Sequence, residues 1–291
     1  IKAQSKIPPS QTVILVHARK AGGTWVRKYI LRPLALRGHR VVNWEGPVVS
    51  REFFDEKYGN NTYAIIAQIR HPLDRTLAFL KGNMPQEIRD LSVYDGLRKF
   101  EMCENTKYDC ESPGHWIFKR YPPYANLWAC TANYLVKLYS GRRCKDEINR
   151  TPLNRTDYMS ALGVLGSSDI IIVTEWLKVP EYSRYVFNFF NISADVSVGK
   201  KKTRHSQHPS TYDKMRRWKE WPQRLLEWVL EHNVWDMQLY LDGKQLAFDM
   251  WSKSKSPTFI RQGSLPNATF EHSVGSADKY LAECFEHYER C

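Results

Sequence analysis

The chain has 291 residues, with 43 lysines and arginines against 31 aspartates and glutamates, a formal charge of +12. That length is ample for one domain with insertions, and the charge favours an anionic partner: a nucleotide, an acidic polysaccharide, nucleic acid or a membrane surface. The basic residues are dispersed, without zinc-finger spacing or a long basic block, which argues against a nucleic-acid module, and no apolar run approaches the roughly 20 residues that span a bilayer.

Residues 1–11 carry two adjacent prolines and little apolar pattern, and read as a lead-in stalk. The fold is expected to begin at Thr12. Thr12 to Leu31, TVILVHARKAGGTWVRKYIL, reads as a covered strand, a glycine turn and an amphipathic helix. Gly22 and Gly23 allow a tight turn and close approach to a ligand, Thr24 is the expected cap, and Trp25, Val26, Tyr29 and Ile30 recur at helical spacing. A helix starting there offers free N–H groups and a positive dipole end to an anion, with Arg19 and Lys20 beside it. Lys20 precedes the glycines, so the loop is not GxxxxGK[ST], nor is it GxGxxG. An ordinary strand-to-helix turn with two glycines would carry the same letters.

Arg40 to Asn43 is a short strand candidate, ended by Trp44-Glu45-Gly46-Pro47 near the C-terminal edge of the expected sheet, and Ser50 to Tyr58 is a short helix. Tyr63 to Ile69, YAIIAQI, is a second covered strand and runs into Arg70-His71-Pro72, with Pro72 suited to the first turn of a helix reaching about Leu80. Gly82 to Pro123 lacks periodicity and reads as an insertion. Tyr124 to Leu138 reads as a helix with a core face. Asp169 to Thr174, DIIIVT, is a third covered strand, followed by a helix from about Val179 to Phe190. Gly199 to His208 is a basic segment, Tyr212 to Trp221 and Pro222 to about Tyr240 are helices, and 251–291 is a polar C-terminal appendage to a domain spanning 12–250.

The six cysteines (Cys103, Cys110, Cys130, Cys144, Cys284, Cys291) show no CxxC spacing, and N-x-[ST] sequons begin at Asn60, Asn149, Asn154, Asn191 and Asn267. Both features favour disulfides and a secretory-pathway lumen over cytosol. We therefore expect a luminal domain whose only membrane link is an N-terminal anchor, removed from this chain.

The order strand, Lys-x-Gly-Gly-Thr-Trp, helix resembles the 5′-phosphosulfate loop of sulfotransferases that use 3′-phosphoadenosine-5′-phosphosulfate (PAPS). IRHPLDRTLAFL resembles their 3′-phosphate segment, in which an arginine is followed by a proline and, eight positions on, a serine. Arg70 matches the arginine, but Ala78 stands at the serine position. Thr76 is the nearest hydroxyl, about 200° away around a helix. The two motifs in order, with KFEMCENTKYDC and YPPYANLWAC after them, are most similar to the Golgi carbohydrate sulfotransferases of the heparan and uronyl 2-O group.

The resemblance implies an α/β, P-loop-like three-layer fold with a central parallel sheet flanked by helices. It also implies an enzyme that moves a sulfuryl group from PAPS to a hydroxyl acceptor on a carbohydrate or polysaccharide, releasing 3′-phosphoadenosine-5′-phosphate, with no metal required. Arg19 to Trp25, including Ala21, would surround the phosphosulfate, with Lys20 neutralising the leaving oxygen; Arg70, with Thr76 and Ala78 on the following helix, would meet the 3′-phosphate. Lys201, Lys202 and Arg204 fall where relatives carry a basic phosphate-facing loop. Relatives draw their base from between the two motifs, where Glu45 is the best placed carboxylate and His17 and His39 are rivals. The family-like placement of the first four cysteines favours pairing Cys103 with Cys110 and Cys130 with Cys144, leaving Cys284 with Cys291. Tyrosine or small-molecule sulfation, a nucleotide-dependent phosphotransferase and a silent anion- or glycan-binding module stay open as alternatives. Oligomeric state is not read from the sequence.

Overall fold

The computed structural model describes residues 11–48, 50–59, 62–83, 132–142, 152–193 and 229–255. Its centre is a four-stranded sheet made of β1 (Thr12–Val16), β2 (Val41–Trp44), β3 (Tyr63–Ile69) and β4 (Ile170–Val173), in the order β2-β1-β3-β4. All three pairings are parallel, with Val16 level with Trp44 on one side and Ala67 on the other, and Gln68 level with Ile172 of β4. Every residue of β1, β3 and β4 is buried, which explains why their sequences are continuous apolar runs rather than alternating ones. The fold is therefore α/β, with a central parallel sheet flanked by helices.

After a loop that follows β1, helix α1 runs without a break through Gly23–Val26, a π-helical turn over Arg27–Leu31, and Arg32–Leu36. Pro33 accounts for the π turn: it has no N–H to return to the carbonyl four residues back, and Arg32 N–H reaches instead to the Arg27 carbonyl. Val26, Ile30, Leu31 and Leu34 of α1 pack on one face of the sheet, against Val13 and Leu15 of β1, Ala64 and Ile66 of β3, and Ile170 and Ile172 of β4. Helices α2 (Glu52–Tyr58) and α3 (Pro72–Asn83) flank β3 in the chain. After β4 a 3-10 turn (Thr174–Lys178) leads to the later helix Pro180–Phe189, whose Tyr182, Val186 and Phe187 join the same core. Each fully buried Val, Leu, Ile or Phe here contributes about 1.5–3 kcal/mol.

Several expectations are corrected. Of the helix expected from Tyr124 to Leu138, residues 124–131 lie outside the described residues; Asn133 adopts a left-handed conformation (φ 48°), and helix α4 starts after it, at Tyr134–Tyr139. Helix α5, Arg155–Ser167, had no counterpart in the sequence reading. It starts with a capping box, in which the Asn154 side chain accepts from Asp157 N–H and the Asp157 carboxylate accepts from Asn154 N–H. With the helix Pro180–Phe189 as α6, the last described helix is α7, Val234–Lys255, which runs past the expected end near Tyr240.

A continuous helix from Pro222 is broken at 232–233, where the fully buried Asn233 uses its amide to bond elsewhere. Its Nδ2 donates to the Val229 carbonyl at 2.7 Å and its Oδ1 accepts Asn133 N–H at 3.0 Å. Three residues on, Asp236 lends both carboxylate oxygens to the first free N–H groups of α4, at Leu135 and Val136.

The chain forms two compact units, Ile1–Trp251 and Ser252–Cys291. Of the second, only residues 252–255 fall within the description. Among the described residues no helix is long and apolar enough to cross a membrane. All six cysteines, the sequons at Asn60, Asn149 and Asn267, and nearly all of the expected 82–123 insertion lie outside the described residues.

Candidate functional site

The chain leaves β1 to reach β2 on one side and returns to place β3 on the other. The C-terminal ends of β1 and β3 therefore border a topological switch point, where α/β sheets open a crevice. The loop after β1 lies there. His17 and Ala18 stay buried, whereas Arg19 and Lys20 are exposed, and Lys20 takes a left-handed backbone (φ 63°) that costs a non-glycine residue roughly 1–2 kcal/mol.

Gly22 is left-handed too, at φ 83°. A Cβ on Gly22 would sit 2.9 Å from Thr174 Cγ2 and 3.1 Å from Gln68 Nε2; one on Gly23 would sit 2.0 Å from His17 Nε2. Both glycines are thus required by close packing, as well as by the turn at Gly22. The expected cap is corrected: Gly22, not Thr24, occupies the N-cap, and Thr24 is an exposed residue inside the first turn. Among the described residues no side chain caps this terminus, so the early N–H groups of α1 retain their capacity for an anion.

Two residues expected separately as proton acceptors form a pair. His17 Nδ1 lies 3.1 Å from Glu45 Oε1, which also accepts from Asn43 Nδ2 at 3.0 Å; Arg19 Nη2 is 4.0 Å from Glu45 Oε2. The hydrogen bond from His17 lowers the Glu45 pKa below its ordinary value. Burial lowers that of His17, outweighing the attraction of the carboxylate. At neutral pH the pair is a carboxylate and a neutral imidazole, and because a carboxylate only accepts, the imidazole proton is assigned to Nδ1. Glu45 is the open member, its side chain 42% exposed against 9% for His17. The third candidate, His39, is elsewhere. It precedes β2, bonds through Nδ1 to the Gln11 carbonyl before β1, and so sits at the opposite edge of the sheet, about 15 Å from the loop by strand rise.

Arg70, at the end of β3, reaches across the switch point and donates from Nη1 to the Lys20 carbonyl at 2.8 Å. Its Nη2 lies 3.7 Å from Asp74 Oδ2, and the residue is 5% exposed. The neighbouring β4 exit adds Thr174, whose hydroxyl is 2.6 Å from the Ala21 carbonyl and 3.0 Å from that of Ile69. The loop is therefore held from behind by two strands.

Thr76 is corrected as a stand-in for the missing serine. It is fully buried and its hydroxyl accepts from Arg75 Nη2 at 3.1 Å, so it turns into the interior. Ala78 is half-buried on α3. Lys201, Lys202 and Arg204 lie outside the described residues.

Further residues enter that the sequence reading passed over. Partly buried Glu175 accepts His71 N–H at 2.9 Å and faces the Tyr240 hydroxyl at 3.3 Å, and burial raises its pKa. Arg75 is fully buried, 4.7 Å over the Tyr134 ring. Gln68 is fully buried and neither polar atom of its carboxamide has a partner among the described residues. An unmet buried amide costs about 1–3 kcal/mol. The sequence signal for Gln68 was its being the one polar side chain inside the run Ala64–Ile69. Among the described residues no group of three or more His, Cys, Asp and Glu side chains gathers as a metal site would. No family model, curated protein or solved structure matches the chain.

Proposed function

We propose that the chain is a PAPS-dependent sulfotransferase of the Golgi carbohydrate type, with a P-loop-like sulfotransferase fold, acting on a hydroxyl of a carbohydrate or polysaccharide in a secretory-pathway lumen. The observation that carries this reading is the 2.8 Å bond from Arg70 to the Lys20 carbonyl, which joins two motifs fifty residues apart. A phosphosulfate loop and a 3′-phosphate segment have to meet in this way to serve one nucleotide. The fit is supported by Gly22 and Gly23, where no Cβ could be housed, and by the uncapped N–H groups of α1.

PAPS supplies a sulfuryl group on a phosphate leaving group. The backbone N–H groups of Gly22, Gly23 and Thr24 would receive the phosphosulfate oxygens, with exposed Lys20 and Arg19 adding positive charge where negative charge develops. Glu45 Oε2 would take the acceptor's proton while its Oε1 is fixed by His17 and Asn43. The acceptor oxygen forms the new bond to sulfur as the bond from sulfur to the phosphate oxygen breaks. Arg70 would serve both the loop and the 3′-phosphate.

Turnover tests the reading: PAPS is supplied with desulfated polysaccharides, tyrosine peptides or small alcohols, and ATP with Mg²⁺ serves as the control donor. Sulfated polysaccharide is the expected product. Sulfation of only the peptides or alcohols moves the acceptor class, transfer from ATP makes the chain a phosphotransferase, and nucleotide binding without transfer to any acceptor makes it a binding module.

A further inference from the structure

We propose that the Gln68 carboxamide is a direct ligand of the anion held by the loop after β1, a neutral donor rising from the sheet beneath it. The inference rests on reading that loop as an anion cradle. Gln68 lies one residue beyond the last β3 position paired with β1, level with the start of the loop, and shares its strand face with Ala64 and Ile66, which pack under α1. Its Nε2 is 3.1 Å from where a Gly22 Cβ would stand, at the N-cap of α1.

Its backbone is fully occupied: Gln68 N–H donates to the Tyr139 hydroxyl, which donates back to the Gln68 carbonyl, both at 3.0 Å. Among the described residues the side chain has no such partners: both amide atoms are buried and unmet, beneath a helix terminus that none of those residues caps. Thr174, the nearest polar neighbour at Gly22, has its hydroxyl against the Ala21 and Ile69 carbonyls.

The residue type suits the guest. A sulfuryl group carries no proton at neutral pH and its oxygens only accept, so a carboxamide offers two N–H donors without the desolvation a buried lysine would suffer. A carboxylate at the same place would repel the anion. A leucine would fill the space and donate nothing.

Calorimetry on the whole chain, with 3′-phosphoadenosine-5′-phosphate and with inorganic pyrophosphate, compares wild type with Gln68→Leu and Gln68→Glu; thermal unfolding without ligand accompanies each. Gln68→Leu is expected to raise Kd for both anions about tenfold while melting no lower than wild type, and Gln68→Glu to raise Kd further. If the leucine variant does not fold, Gln68→Met takes its place. Unchanged affinity in a folded variant overturns the proposal and leaves Gln68 as the wall of an internal water site.

The two readings fail separately. Wild type that binds pyrophosphate but not the adenosine nucleotide discards the sulfotransferase reading while Gln68 is still judged on pyrophosphate. Wild type that binds the nucleotide with affinity indifferent to Gln68 does the reverse, and wild type that takes neither anion overturns both.

Discussion

Two strand-to-helix junctions stand side by side at one edge of the sheet, and they are built oppositely. After β1 the chain exposes Arg19, Lys20 and Thr24, leaves the helix terminus uncapped, and keeps Glu45 half open. After β3 it buries Arg70, His71, Arg75 and Thr76 in succession around α3. A charge brought inside has to be met by protein groups, and Arg70 accordingly bonds the Lys20 carbonyl and approaches Asp74, while Arg75 lies over Tyr134. The open junction has groups to offer a ligand; the closed one holds the open one in shape.

The largest contrast is expected at Glu45. Glu45→Gln should lower kcat by roughly 10² to 10⁴ and leave nucleotide affinity nearly unchanged, because Glu45 meets the acceptor and not the cofactor. The acid limb of the wild-type pH profile should fall below 4.5, since the bond from His17 lowers the carboxyl's pKa. Near-full turnover in the variant would leave His17 as the group to test.

The closed junction should show itself in stability. Burial brings the His71 pKa down to about 4 from 6.5, so the unfolded chain binds a proton that the folded chain refuses. Stability is fully present above 6.5 and is lost as pH falls toward 4, by about 3 kcal/mol from this group. Denaturant unfolding of wild type and His71→Phe across that window should differ by this slope. Parallel curves would show that His71 is neutralised in some other way.

The smallest effect sharpens the division itself. Arg70→Ala should weaken 3′-phosphoadenosine-5′-phosphate about tenfold more than adenosine 5′-monophosphate, if a buried arginine both braces the loop and meets the 3′-phosphate. Equal weakening of the two nucleotides assigns Arg70 to the brace alone.

The open junction was the more legible in sequence, and the reason is geometric. Strands covered on both faces write themselves as unbroken apolar runs, and Gly22 and Gly23 mark the turn because their neighbours leave no room for Cβ. Partnership across the fold is not written locally. Glu45 and His17 were legible as rivals but not as a bonded pair, and His39 looked equivalent until β2 carried Glu45 to one end of the sheet and left His39 at the other. Thr76 was judged by its angle around a helix, whereas the buried Arg75 beside it decided where its hydroxyl went. Helix α5 buries only Ala161, Val164 and Leu165, too sparse a stripe to read, and its capping box at Asn154 and Asp157 was obscured by a sequon. The break at Asn233 depends on Asn133, a hundred residues away.

Calorimetric titration of the intact chain with 3′-phosphoadenosine-5′-phosphate, against ATP with Mg²⁺, tests most directly whether the loop after β1 and the arginine after β3 form one nucleotide site. Saturable binding of the 3′-phosphorylated product, weakened in Lys20→Ala and in Arg70→Ala and not matched by ATP with Mg²⁺, is the predicted result. Tighter binding of ATP with Mg²⁺, or affinity indifferent to both substitutions, would contradict it.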